Sequence, residues 1–198
     1  IQAKSIGESA KAFPDELVFE TLLPGGFTSL CYDGQYFFDT DHPIGETGST
    51  QSNKLTVALD ATNFQTARTM LRKMKDDFGR PTMNRNMDLL IVVPADLEAT
   101  AETIFEALVN SSGATNTLKG KARILVADWL SDTNNWYLLN VAGIIKPFVV
   151  QEREFIPFEA LEEGSESNFM RKKNYYGTYW RGNAGYGLYQ KAVGSLVA

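Results

Sequence analysis

Apolar residues stand at Ile6, Ala10, Phe13 and Leu17, spaced by four, three and four, with Leu22 beyond. Such spacing gathers them into one stripe along a helical face, so a long amphipathic helix is expected at the start of the chain. Leu23-Pro24-Gly25-Gly26 reads as its end. Pro14 falls mid-helix, where its ring removes one hydrogen bond and crowds the preceding turn, which predicts a kink or two abutting helices. A second helix is predicted from Phe64, Ala67, Leu71, Met74 and Phe78, opened by a capping box of Thr62 and Gln65 and stopped by Gly79 and Pro81. Between the two helices, Leu55, Val57 and Leu59 alternate with polar or small residues, the period of a short strand.

From Asp88 to Val93 the chain is a nearly continuous apolar run, as expected of a strand covered on both faces. Pro94 suits a first helical turn, Asp96 and Glu98 lie near the positive end of the helix dipole, and Leu97, Ala101, Ile104, Phe105 and Leu108 supply a buried stripe. Arg123 to Trp129 and Trp136 to Val141 flank a polar Ser131 to Asn135 segment, which predicts a hairpin with a long turn. Lys146 to Ile156 reads as extended, with Pro147 at a strand start or edge, and the acidic Glu159 to Ser167 reads as an exposed loop. Behind a basic entrance, Arg171-Lys172-Lys173, the stretch from Phe169 to Ser195 mixes aromatics with glycines. It predicts two strands joined by a bend at Arg181-Gly182-Asn183. Alternate side chains there should divide, one set packing under the helix from Ile1 to Leu23 and the other facing solvent.

Composition narrows the classes. The 198 residues are 43% hydrophobic and 22% charged, values of a compact chain with a substantial core, in one domain or in two lobes sharing a sheet. A formal net charge of −5 argues against gripping nucleic-acid phosphates over a broad face. Arg68, Arg72, Lys73 and Lys75 on the second helix are followed by Asp76 and Asp77 and read as an ordinary solvated face ahead of a DNA-binding one. The single cysteine, Cys31, cannot form an internal disulfide and reads as a small buried hydrophobe. No apolar run reaches the roughly 18 residues of a membrane span, so no membrane partner is expected. The chain opens at Ile1, without methionine and already inside an element, which predicts a processed or truncated product.

The chemically suggestive letters are Asp39, Asp41 and the sole histidine, His42, inside FFDTDHP. A metal-dependent hydrolase would set them around a divalent ion. The preferred reading is a polar loop, because Asp side chains close such turns and Pro43 fixes the backbone, while no second histidine is present to complete a ligand set. Gly45 to Asn53 likewise reads as a flexible polar loop. No glycine-rich phosphate loop, Gly-x-Ser-x-Gly elbow or Cys-x-x-Cys pair occurs, so no catalytic residue, metal or cofactor is assigned, and the chain does not read as an enzyme.

Five segments taken in order resemble one family, the major head (capsid) subunit of Mu-like phages and prophages. They are FPDELVFETL at 13–22, LCYDGQYFFDTDHP at 30–43, DLLIVVPADLEATA at 88–101, WYLLNVAGIIKPFVVQERE at 136–154 and FMRKKNYYGTYWRGNAGYGLYQKAVGS at 169–195. The resemblance implies an α+β chain with the tailed-phage major capsid fold of the Hong Kong type. Residues 1–24 would form the spine helix of a peripheral domain, 25–145 a mixed α/β axial domain, and 146–198 the return strands of a narrow antiparallel peripheral sheet. Family members carry an arm and an extended loop ahead of the segment that corresponds to Ile1, and these are absent from this sequence.

The implied function is structural. The chain is expected to associate with copies of itself into the pentamers and hexamers of an icosahedral shell around packaged double-stranded DNA, with scaffold and portal proteins as assembly partners. The implied location is the virion, after assembly in the bacterial host cytoplasm. A nanocompartment shell of the same fold is the related alternative, and the hydrolase around Asp39, Asp41 and His42 the distant one. Residues expected at contacts between copies are Arg171, Lys172, Lys173, Tyr175, Tyr176, Tyr179, Trp180 and Arg181, together with the loop from Gly45 to Asn53.

Overall fold

The computed structural model describes residues 2–45, 48–82, 87–110, 112–154 and 157–197. It begins with helix α1 (Gln2–Glu16), which passes without a break into a π-helical stretch (Leu17–Leu22) and a last turn, α2 (Leu23–Gly25). Pro14 lies inside α1 and splits nothing. The irregularity follows it, where the Leu23 N–H reaches back five residues to the Val18 carbonyl, the wide step of a π turn. The apolar stripe is only partly covered, since Ile6 and Phe13 stay 38% and 41% exposed and full burial begins at Leu23.

After a short antiparallel pair, β1 (His42–Pro43) with β2 (Thr50–Gln51), come β3 (Lys54–Leu55) and helix α3 (Ala61–Lys73). The helix starts two residues before the expected capping box. Asp60 is the N-cap and its carboxylate accepts from the Asn63 N–H at 2.7 Å. It also ends earlier than Gly79, at Lys73, because Met74 leaves the helical region, and Phe78 is carried out to an exposed turn. In that turn the Asp76 carboxylate accepts from the N–H groups of Phe78 and Arg80, and the Arg80 N–H in particular holds its pKa below the usual range.

Next come β4 (Leu89–Val93), a 3₁₀ turn (Ala95–Leu97), α4 (Glu98–Phe105), β5 (Arg123–Val126) and β6 (Trp136–Asn140). β5 and β6 do not form the predicted hairpin. β5 pairs parallel to β4 and β6 antiparallel to the other edge of β4, so β4 separates them. A strand as apolar as β4 gains most by being flanked on both edges, and the α4 crossover delivers β5 in parallel. The chain then forms β7 (Phe148–Glu154), β8 (Phe158–Leu161), helix α5 (Glu166–Arg171), β9 (Tyr175–Thr178), β10 (Arg181–Tyr186), a 3₁₀ turn (Tyr189–Lys191) and β11 (Ala192–Ser195).

The last strand returns to the interior. β11 completes a five-stranded sheet of order β3-β11-β6-β4-β5, in place of ending in the narrow sheet expected for 146–198. Both faces of this sheet are covered. Leu89, Ile91, Val93, Trp136, Leu138 and Val193 pack against Phe64 and Leu71 of α3 and Ala101 and Phe105 of α4. On the other face Val92, Tyr137, Leu139 and Ala192 meet Leu23, Phe27, Phe37, Phe38 and Tyr189.

β7 pairs with β10, from Tyr186↔Phe148 to Arg181↔Glu154, and β8 with β9, from Thr178↔Phe158 to Tyr175↔Leu161. They are two separate two-stranded sheets, together the ribbon, and α5 links β8 to β9. The bend expected at Arg181-Gly182-Asn183 is therefore not there. These residues lie within β10, with a bulge between Arg181 and Gly182, and β8 occupies the start of the expected Glu159 to Ser167 loop. Among the described residues from 141 to 188 only Pro147 is buried.

Candidate subunit-contact surface

The ribbon lies against α1 and the π-helical stretch. Trp180 meets Phe13 edge to face, ring centres 5.3 Å apart, and its indole N–H donates to the Glu152 carboxylate at 3.0 Å. Farther along, the Tyr186 ring stacks on Phe37 at 4.6 Å and its hydroxyl donates to the Leu22 carbonyl at 2.9 Å. Thr178, Trp180, Ala184 and Tyr186 are half-buried on this side, whereas Tyr179, Arg181 and Asn183 between them are exposed. The alternation expected of the aromatic stretch is present only from Thr178 to Arg181, since Tyr176 is exposed and the bulge between Arg181 and Gly182 interrupts it beyond. Gly182 is needed for that packing. A Cβ there would stand 2.4 Å from the Trp180 ring and 2.6 Å from the Gln151 carbonyl. Nearer the tip, an open groove of about 510 Å³ runs between α1 and the ribbon, lined by Ile6, Ala10, Phe13, Thr178 and Trp180. The Thr178 hydroxyl is buried there without a partner.

The expected contact residues fall into separate places. Arg171, Lys172 and Lys173 leave α5 fully on the surface, and Lys172 takes the left-handed conformation (φ 51°) that closes the helix. Tyr175, Tyr176 and Tyr179 are exposed at 45%, 38% and 50%. Glu162 accepts from the Tyr176 hydroxyl, which raises the phenol's pKa. Trp180 is committed to Phe13 on one side, and Arg181 is exposed. Gly45 lies in the left-handed region, beside Asp77, where an added Cβ would stand 1.9 Å from the Asp77 carbonyl oxygen. Residues 46 and 47 of that loop lie outside the described residues.

Asn53 is a correction, because the loop end expected to be mobile and exposed is fully buried. Its side-chain oxygen accepts from the Asp39 N–H at 2.9 Å, and its amide donates to the carbonyls of Phe37 and Tyr189. The same oxygen lies 3.1 Å from His42 Nε2, and His42 Nδ1 lies 2.6 Å from the Asp33 carboxylate. The histidine ring stacks flat on Tyr189, with centres 3.7 Å apart. Both imidazole nitrogens are thus engaged inside the fold, and Asp39 is turned to the backbone N–H groups of Tyr36 and Thr40. Among the described residues no three His, Cys, Asp or Glu side chains converge as metal ligands, so the arrangement required by the hydrolase alternative is not formed. Cys31 is half-buried against the aromatic layer, where burial pushes its thiol pKa up.

The sequence alone had not pointed to Asp33 and Tyr189 as the partners of His42, nor to Phe158, Phe169 and Met170 as exposed apolar residues near the tip. For the last two a signal was available, a Phe-Met pair directly before three cations.

Comparison with known proteins bears on the whole chain. The family model "Mu-like prophage major head subunit gpT" matches residues 2–58, 52–130 and 131–197. The Mu-like prophage FluMu major head subunit of Haemophilus influenzae is 29% identical over 190 residues, covering 96% of this chain and 41% of the relative. The major capsid protein of Escherichia phage Mu is 56% identical over 41 residues, 21% of this chain and 13% of that protein. The chain thus spans well under half the length of these relatives. Among solved structures, the bacteriophage JBD30 capsid matches with a TM-score of 0.56 at 23% identity, over 65% of this chain and 66% of that one. Mycobacterium phage Patience matches with a TM-score of 0.51 at 14% identity, over 100% and 63%. These likenesses show the fold, the α+β capsid fold of the Hong Kong type.

Proposed function

The chain belongs to the Mu-like prophage major head subunit family, and from that premise we propose that it builds the wall of a phage head by joining copies of itself into capsomers. The observation that carries this reading is the family match, which runs from residue 2 to residue 197. The physical form of the molecule supports it. A helix and a two-stranded ribbon with hardly a buried residue extend from a well-packed sheet unit, so a large part of the surface is built for contact and little of it for chemistry.

On this reading α1 with the ribbon is the peripheral part of a wedge-shaped subunit, and the five-stranded sheet with α3 and α4 is the axial part. Pentamers and hexamers close an icosahedral shell around double-stranded DNA, which the negative net charge lets the wall enclose without gripping. Assembly takes place in the bacterial host cytoplasm with scaffold and portal proteins. Arg171, Lys172, Lys173, Tyr175, Tyr176, Tyr179 and Arg181 are the side chains offered to neighbouring copies, joined by the Trp180 edge and by Gly45 at a second place. Many moderate joints suit such a wall, because they add up in a closed shell while single errors can still dissociate. Expression of the complete gene product should give shell-like particles visible by electron microscopy. Only soluble monomers under every assembly condition tried would overturn the reading.

A further inference from the structure

One buried polar cluster has a protonation state that its geometry fixes, whether or not the chain builds shells. His42, the sole histidine, is fully buried, and each of its ring nitrogens faces an oxygen. Nδ1 lies 2.6 Å from one Asp33 carboxylate oxygen, while the other accepts from the Gln35 N–H at 3.2 Å. Nε2 lies 3.1 Å from the Asn53 side-chain oxygen. That amide has one allowed orientation, because its oxygen takes the Asp39 N–H and its nitrogen gives to the Phe37 and Tyr189 carbonyls. An acceptor at each ring nitrogen requires a hydrogen on each. We propose that His42 is held as an imidazolium between Asp33 and Asn53, a proton-dependent latch that fastens the segment from Leu30 to Pro43 to the turn at Tyr189.

The paired carboxylate offsets the cost of burying the cation, and the Tyr189 ring covers its face with centres 3.7 Å apart. Loss of the ring proton would set a nitrogen lone pair against an oxygen and loosen the amide that joins Phe37, Asp39 and Tyr189. Burial pushes the pKa of Cys31, of Tyr189 and of Tyr32 stacked upon it upward, so these neighbours stay neutral at mildly alkaline pH. Asp33 and Asp39 add negative charge, Lys75 and Asp77 lie beyond Gln51, and Lys191 of the same turn donates to the Ala142 carbonyl. In an unfolded chain imidazole is neutral above about pH 6.5. The latched ring keeps its second proton there, so folding takes one up and stability falls as pH rises.

Because the histidine is alone in the sequence, isotope-labelled histidine reports on it without overlap. In nitrogen NMR at about pH 7.5 both ring nitrogens should resonate as N–H groups of an imidazolium. Asp33→Asn supplies an amide that can donate to Nδ1, so its ring should carry one hydrogen only, on Nε2. In urea unfolding, the folding constant of the unaltered protein should fall about tenfold per pH unit from about pH 7 to 9, relative to that of Asp33→Asn. A single N–H in the unaltered protein, or equal pH slopes for the two proteins, would overturn the latch. If Asp33→Asn does not fold, the spectrum of the unaltered protein decides alone.

Discussion

Trp136 and Trp180 are the same side chain in opposite surroundings. Trp136 is fully buried in β6 between the sheet and its helices, with its indole N–H donated to the Val57 carbonyl at 2.9 Å. Trp180 lies half-covered on the ribbon, where Phe13 contacts it from one side and Glu152 takes its N–H. The sheet unit therefore holds itself together by area removed from water on two faces. The ribbon is held by its ladder and a few aromatic contacts, less than an isolated two-stranded ribbon needs to be stable in water. Stability in the ribbon has to come from what it packs on, first α1 and then, in the proposed shell, neighbouring copies.

Truncation of the two tryptophans gives the sharpest contrast. Trp136→Ala should lose about 4 kcal/mol in urea unfolding, chiefly from the cavity, since the Val57 carbonyl keeps the Ser195 hydroxyl as a donor. Trp180→Ala should lose about 1 kcal/mol, the worth of an edge-to-face pair. Equal losses would show that the ribbon contributes to the core after all. His42→Ala should lie between them, at about 2 kcal/mol, because it strips buried partners from Asp33 and Asn53. A change within experimental error would mean that the loop is not held by this cluster. Tyr137→Phe should be the smallest effect and of opposite sign. Its hydroxyl is buried without a partner, and burial, aided by Asp132, raises its pKa. Removing that oxygen should raise stability by up to about 1 kcal/mol, and a clear loss would reveal a hydrogen bond to water.

Much of the local structure is legible in the sequence. The three-and-four spacing from Phe64 to Leu71 places α3, the apolar run to Val93 followed by Pro94 places β4 and α4, and the alternation from Thr178 to Arg181 divides the ribbon's faces up to its bulge. Thr62 and Gln65 fit the capping-box pattern, whereas Asp60, two positions earlier, makes the bond. The contact residues were legible only as types. Tyrosines and cations near the C-terminus suggested a joint, but α5, which sorts the charges to opposite ends, was hidden within a stretch read partly as loop.

The sequence by itself determined which residues turn an apolar side inward, because helical and strand periods are written in neighbouring positions. Only the tertiary structure decided which edge each strand would join. β4 lies between β5 and β6, β11 returns from beyond the ribbon to lie between β3 and β6, and Asn53 is drawn inside to meet His42. Edge pairing and buried polar contacts join residues far apart in the chain, as with Val193 and Leu138. Their energies depend on the water excluded when the whole fold closes, which local spacing does not record.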